Sequence, residues 1–392
     1  MNAGPITVGR FLAAGALALA LAAHAAAQGA AEALKPDDPV VLATQRGIEV
    51  ILNLQEGENK AEWPYEGVYR VAGQIPIGYR VGGTAICAMA LMDAPGFEAD
   101  PSRTEAVARS REFVCQATTH PLMDPAGNRG YDVRGWGYTY GLQFLLKLKA
   151  AKLVPDDKAE VVEKAIVFYL EGLKSIEIPQ VGGWNYARSQ DPAAVSPPSP
   201  FMTAPTLRAL FEAKRQGYAV DAEIVKRGLD YLEAARGPTG AVMYSGKAGE
   251  RRSDPTPGAV GRMLCTETTL YLAGRTSLAN VRGAVDAFLT HWSWLDKRRA
   301  QRGTHEPPYS IAPYYFYYAH YYAAEAIEML PANERKEYRR RLHELIFSVK
   351  LDDGSWNDRV FPRTANYGTA MALCALNMAN MPKSARWEEP VK

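Results

Sequence analysis

Residues Asp353–Leu376 read DGSWNDRVFPRTANYGTAMALCAL. A turn carrying Gly and Trp leads into a charge-free run of small and aliphatic residues at helical spacing. The Gly supplies the tight or positive-φ backbone that such a turn needs, and the Trp is placed to pack over the end of the next helix. A helix that is small or apolar on most faces has to be buried among neighbours on several sides. The same order returns in GGWNYARSQDPAAVSPPSPFMTAPTLRAL (Gly182–Leu210) and, more weakly, in RGWGYTYGLQFLLKL (Arg134–Leu148). Trp136, Trp184 and Trp356 are therefore expected to be structural wedges.

Working outward, charge-poor segments of this kind occur at Gly82–Ala94, Tyr138–Ala151, Met202–Ala213, Val260–Gly274, Pro313–Leu330 and Ala365–Ala379. Between them lie amphipathic segments with apolar residues at i, i+3, i+4 and i+7: Thr44–Gln55, Ala108–Thr118, Glu163–Leu173, Val225–Ala235, Arg282–Trp292 and Arg340–Lys350. Charge-poor segments pass to amphipathic ones through short links. The reverse connections are long loops rich in Gly, Pro and aromatics, and long loops in a compact domain tend to be functional. Alternation at a fixed period is a repeat signature. It predicts an all-α fold, an (α/α)6 toroid of six inner and six outer helices, with repeats over about residues 39–380. An open solenoid is built from similar pairs but needs polar caps. The last pair, ending in ALCALNMAN, is as apolar as the middle ones, which favours a closed ring.

The aromatic-Gly turn followed by a T-x-x-A-L-x-A-L-like helix resembles the terpenoid cyclase/protein prenyltransferase toroids, whose prenyltransferase/squalene-oxidase repeats are related to the cyclases' Q-W motifs. The resemblance spans about Gln45 to Met378. It implies the toroid and leaves the activity open, because toroids host several functions. The Asp-x-Asp-Asp motif by which squalene-type cyclases protonate an alkene is missing. The pairs Asp37–Asp38, Asp156–Asp157 and Asp352–Asp353 read as turns or helix caps. The Gly-Cys-Gly-Glu-Gln run of complement-type thioester domains is missing too. Protein prenyltransferases bind zinc with an Asp-x-Cys pair and a His; the matching positions are Cys265, Glu267 and His320, with the first pair reversed. Residues i and i+2 of a helix lie about 200° apart, so Cys265 and Glu267 face opposite ways. The expectation is no cofactor, with zinc the weaker alternative.

The formal charge of +2 over 392 residues gives no reason to expect a nucleic-acid partner. Arg10 precedes the apolar run Phe11–Ala23, which is followed by small residues. This reads as a signal peptide over 1–27, before a single toroid domain over 28–392. Such a chain is expected to be exported, periplasmic or extracellular, with no membrane span once the signal is removed. Cys87, Cys115, Cys265 and Cys374 form no C-x-x-C, and buried thiols are the default for most of them.

The stretch YYFYYAHYY (Tyr314–Tyr322) gives the inner helices a cavity face. Ala312, Phe316, Ala319, Ala323, Ala326, Ile327 and Leu330 form one stripe, suited to the outer ring. Tyr314, Tyr317, Tyr318, Tyr321, Glu325 and Glu328 form the opposite face. His320 falls on the flank, nearer a neighbouring inner helix. Tyr79, Arg80, Tyr138, Tyr140, Thr206, Arg262, Asn366 and Tyr367 join the cavity by the same logic. Arg80 and Arg262 could bind an anion at helix starts or pair with Glu325 or Glu328. Loop acids Glu62, Glu66, Asp132, Asp254, Glu306 and Asp358 are candidates for sugar hydrolysis, and Tyr, His or Arg for a lyase. Trp63, Tyr65, Tyr69, Tyr131 and Tyr244 could stack on sugar rings. Two functions stay open. One is a non-cyclising protein that binds a small hydrophobic or glycan ligand in an aromatic central cavity. The other is an enzyme, either polysaccharide-active or a divergent zinc-dependent transferase.

Overall fold

The computed structural model describes residues 35, 37–126, 133–186, 197–246 and 254–388. The expected signal segment, Asp132 and Tyr131 lie outside the described residues. The chain divides into two compact units, Met1–Leu42 and Ala43–Lys392. In the first, Asp38 caps a helix start by accepting from the Val40 amide at 2.8 Å.

Twelve α-helices follow in chain order, and no strand is present among the described residues. The outer helices are α1 (Pro39–Asn53), α3 (Pro101–Gln116), α5 (Ala159–Ile176), α7 (Ala222–Ala234), α9 (Leu278–Asp296) and α11 (Ala332–Ser348). The inner ones are α2 (Ile77–Asp93), α4 (Arg134–Ala150), α6 (Pro200–Arg215), α8 (Thr256–Leu272), α10 (Tyr315–Met329) and α12 (Ala365–Asn377). Each inner helix packs on the next, and α12 packs on α2, so the second unit is a closed (α/α)6 toroid. Asn377 on α12 donates to Thr44 Oγ1 on α1 at 3.0 Å, across the seam of the ring.

The wedge turns repeat one hydrogen-bond pattern at three places. The indole N–H of Trp63, Trp184 and Trp356 donates to the Ile51, Leu173 and Ile346 carbonyls, one near the end of each preceding outer helix. The backbone N–H of the same three residues donates to Thr84, Thr203 and Thr369 Oγ1 on the following inner helices. Each indole is fully buried. It therefore adds a donor to a carbonyl in the last turn of the helix, where i→i−4 partners run out. Trp63, expected as a sugar platform, is thus a wedge. Trp136, expected as a wedge, turns into the ring instead and packs edge-on against Tyr79 at 5.5 Å. Gly368 lets the wedge loop touch α12, since a Cβ there would sit 2.3 Å from the Trp356 carbonyl oxygen.

All four cysteines are buried free thiols. No helix among the described residues is long and apolar enough to cross a membrane.

Candidate functional site

An aromatic cleft opens at the N-terminal ends of the inner helices, on the side of the long loops. Tyr65, Tyr79, Trp136, Phe201, Tyr314 and Tyr367 line it. Their rings meet edge to face, with Tyr65 5.2 Å from Tyr79 and 4.9 Å from Tyr367, the geometry that aromatic quadrupoles favour. The rings fill most of the ring centre, and the cavity left is about 30 Å³.

One wall of the site is the loop Asn357–Phe361. Asn357 holds it in place. Its Oδ1 accepts from the Arg359 amide and the Thr364 hydroxyl, both at 2.9 Å, and its Nδ2 donates to the Phe361 carbonyl. The Ala300 amide anchors the Asp358 carbonyl at 2.9 Å. The Asp358 side chain is fully buried, and neither oxygen has a hydrogen-bond partner beyond the residue's own amide. Burial pushes this carboxyl up from 3.8 to about 7, against the opposing pull of Arg359 and Arg299. Asp358 also contributes to raising Tyr65, Tyr317 and Tyr367, although burial is the main cause for each. The Tyr65 and Tyr317 hydroxyls are likewise buried without partners. Buried polar groups are nearly always paired, so these groups, which find no partner within the protein, stand apart from their neighbours.

On the opposite wall, Asp254 pairs with Arg262 at 2.8 Å and accepts from the Tyr244 amide. The Tyr244 and Tyr314 hydroxyls lie 3.1 Å apart, and Tyr314 lies 3.1 Å from His305 Nε2. His305 Nδ1 contacts the Ser310 carbonyl. A carbonyl only accepts, so Nδ1 carries the proton and Nε2 accepts from Tyr314. The order of donation is Tyr244 to Tyr314 to His305. Burial lowers the His305 pKa, which favours this neutral form.

A second mouth opens at the C-terminal ends of the inner helices, with cavities of about 140 and 780 Å³. Tyr321 and Glu325 line it. Glu325 forms a two-pronged ion pair with Arg208, and the Ser384 hydroxyl contacts both. Lys147 pairs with Asp93 nearby, and burial raises the Asp93 carboxyl. The final described residues pass this mouth, where Trp387 packs on Phe211 and its amide donates to the Leu272 carbonyl.

The sequence-derived residues therefore separate. Tyr79, Tyr314 and Tyr367 line the aromatic cleft, and Tyr317 lies beneath it near Asp358. Tyr321 and Glu325 belong to the opposite mouth. Arg262 joins the Asp254 wall. Arg80 does not face the cleft: Glu62 holds it with two 2.6 Å hydrogen bonds, over the Phe113 ring. Tyr138 turns outward, donating to the Met123 carbonyl and packing on Tyr169 of α5. Glu328 also turns outward and pairs with Arg339 of α11.

Glu66 is held by Arg70 and Arg363. Glu306 sits in a short bridge with Ile311.

The zinc candidates do not converge. Cys265 Sγ contacts the Pro200 carbonyl and its own helix, and burial pushes the thiol up to about 11. Glu267 binds Thr276 and Arg236. His320 packs against outer helix α9, not an inner neighbour: its Nε2 accepts from the Trp292 indole at 2.8 Å and its Nδ1 donates to the Phe316 carbonyl. Burial drops its pKa to about 4. No group of three or more His, Cys, Asp or Glu able to hold a metal occurs among the described residues.

Sequence reasoning passes over Arg359, His305 and Trp136 as cleft residues. For Arg359 the usable signal is position, since Asn-Asp-Arg directly follows a wedge Trp.

No family model and no curated protein matches this chain. Solved structures do match, and they define the class as α/α toroids. An unsaturated glucuronyl hydrolase from a Bacillus species, described as degrading glycosaminoglycan, aligns over 90% of this chain and 99% of its own, with a TM-score of 0.57 and 11% identity. An inactive variant of an α-1,6-mannanase from a Salegentibacter species, in complex with α-1,6-mannotetrose, covers 86% and 98%, with a TM-score of 0.55 and 12% identity. A type II terpene cyclase from Scytonema covers 87% and 98%, with a TM-score of 0.53 and 16% identity. The fold is thus shared by glycoside hydrolases and terpene cyclases alike.

Proposed function

We propose that the protein is an exported, carbohydrate-active enzyme. In this reading it holds a sugar residue against the aromatic cleft, and Asp358 gives a proton to the leaving oxygen as water adds to the anomeric carbon and gives up its own proton to solvent. The observation that carries the proposal is the Asp358 carboxyl, fully buried beside the cleft wall with both oxygens free of other residues. An acid with a pKa near 7 is well matched to proton donation at neutral pH. Tyr65, Tyr79 and Trp136 offer ring edges, and the Tyr244–Tyr314–His305 hydrogen-bond chain lies on the other side. A cavity of about 30 Å³ suits a ring held at the rim. An enclosed terpene would need a cavity of several hundred Å³, on the scale of ordinary ligand pockets. The fold is shared with glycan-active enzymes, and the N-terminal pattern supports action in the periplasm or outside the cell.

One observation favours a second reading, binding without turnover. Glu62, Glu66 and Asp254 are each engaged by arginine, which leaves Asp358 without a free carboxylate partner among them. A panel of oligosaccharides separates the two readings. Chain shortening by wild type, abolished in Asp358→Asn with its fold intact, supports the enzyme. Saturable glycan binding with no product supports the binder. Turnover unchanged in Asp358→Asn removes Asp358 from the chemistry.

A further inference from the structure

The aromatic cleft contains a cation that forms no ion pair among the described residues. Arg359 lines the cleft and is only 5% exposed. Its Nε and Nη1 have no hydrogen-bond partner, and it forms no ion pair among the described residues. Its one ring contact among those residues is Phe361, 5.7 Å from the guanidinium carbon.

The other arginines around this wall are all engaged. Arg70 pairs with Glu66 at 2.7 Å. Arg363 pairs with Glu56 and Glu66, both at 2.8 Å. Arg299 pairs with Asp296 at 2.9 Å. The loop that Asn357 fixes thus presents one guanidinium without a hydrogen-bonded ion pair, next to a buried acid whose carboxyl pKa is raised to about 7. Removing a charge from water without a partner is costly, and a ligand anion would offset that cost.

We infer that the cleft takes a ring-bearing carboxylate, with the carboxylate on the Arg359 guanidinium and the ring at the aromatic rim beside Tyr69. If the ring is a sugar, which rests on the reading proposed above, the ligand is a uronate residue. The sizes agree. A cavity of about 30 Å³ holds roughly two water-sized groups, which matches two carboxylate oxygens and not a ring. The ring stays at the rim, where Tyr69 is 42% exposed. A planar guanidinium whose buried N–H groups lack a protein partner suits a carboxylate better than it suits a neutral hydroxyl.

The test is calorimetric titration of the purified full chain with glucuronate, glucose and benzoate, repeated on Arg359→Gln and Arg359→Lys. Wild type is expected to bind glucuronate about tenfold or more tightly than glucose, the scale of one charge-assisted hydrogen-bonded pair. Arg359→Gln is expected to erase that preference, and Arg359→Lys to keep part of it. The comparison of ligands on wild type needs no variant, so it stands even if a variant folds poorly. Benzoate binding that depends on Arg359, without glucuronate binding, upholds the carboxylate site and removes the sugar reading. Equal binding of glucose and glucuronate overturns the Arg359 inference and leaves the sugar reading standing. Binding of none of the three overturns the inference, and the oligosaccharide panel then decides the sugar reading alone.

Discussion

Replacing Asp358 by Asn is expected to make the protein more stable at neutral pH, and the gain should grow as pH rises. The carboxyl is fully buried and its pKa rises from 3.8 to about 7 on folding. The native state therefore holds this proton more tightly than the unfolded chain does. Below 3.8 both states are protonated and nothing is lost. Between 3.8 and about 7 the unfolded chain releases its proton first, so stability falls with rising pH, and above about 7 the loss is complete. A rise of about three pH units corresponds to about 4 kcal/mol at roughly 1.4 kcal/mol per unit, of which about 2 kcal/mol falls between about pH 5 and pH 7. The Asp358→Asn variant has no proton to lose at this position, and other titrating groups are common to both proteins and cancel in the difference. Urea unfolding of both proteins at half-unit steps from about pH 5 to pH 8 measures this difference directly. A stability difference that stays flat with pH would refute the buried, protonated acid. A difference that grows toward low pH would reverse its sign.

The wedge and the second mouth make their own predictions. Trp356→Ala empties a fully buried site and removes the hydrogen bond to the Ile346 carbonyl, so unfolding free energy should drop by about 3–5 kcal/mol. Trp184→Ala should cost a similar amount, and a loss under about 1 kcal/mol in either would show that the wedges are dispensable. Arg208→Met or Glu325→Leu alone leaves a buried charge without its partner and should cost about 3–5 kcal/mol. The double variant should lose less than the sum of the two, as a double-mutant cycle followed by thermal melts will show.

The fold is legible because its period is carried by residue chemistry. Outer helices show a charged stripe, inner helices show small residues, and Gly-Trp turns mark where one type passes to the other. The starts of the inner helices are harder to read. Ile77–Val81, Arg134–Gly137 and Thr256–Ala259 look like loop because they hold Gly or follow Pro, yet they lie in helices. The glycines there are packing devices: a Cβ on Gly78 would sit 2.4 Å from the Val133 carbonyl oxygen. Part of the site is legible as well. Tyr79, Tyr314 and Tyr367 follow from helix faces, and Asp358 stands among the loop acids. What a sequence does not carry is pairing. Arg80, Glu66 and Asp254 look as available as Asp358 in a string of letters, and only three-dimensional neighbours show that Glu62, Arg70 and Arg262 occupy them. Trp63 and Trp136 exchange their expected roles for a related reason: of the two, it is Trp63 whose indole N–H reaches a helix-end carbonyl.

The most direct measurement of the central claim is an infrared titration of the Asp358 carboxyl, taken as the difference between wild type and Asp358→Asn. A protonated C=O band is predicted to persist well above the ordinary aspartate range and to disappear with a midpoint at about pH 7. A band already gone at about pH 5, as for an ordinary aspartate, would contradict it.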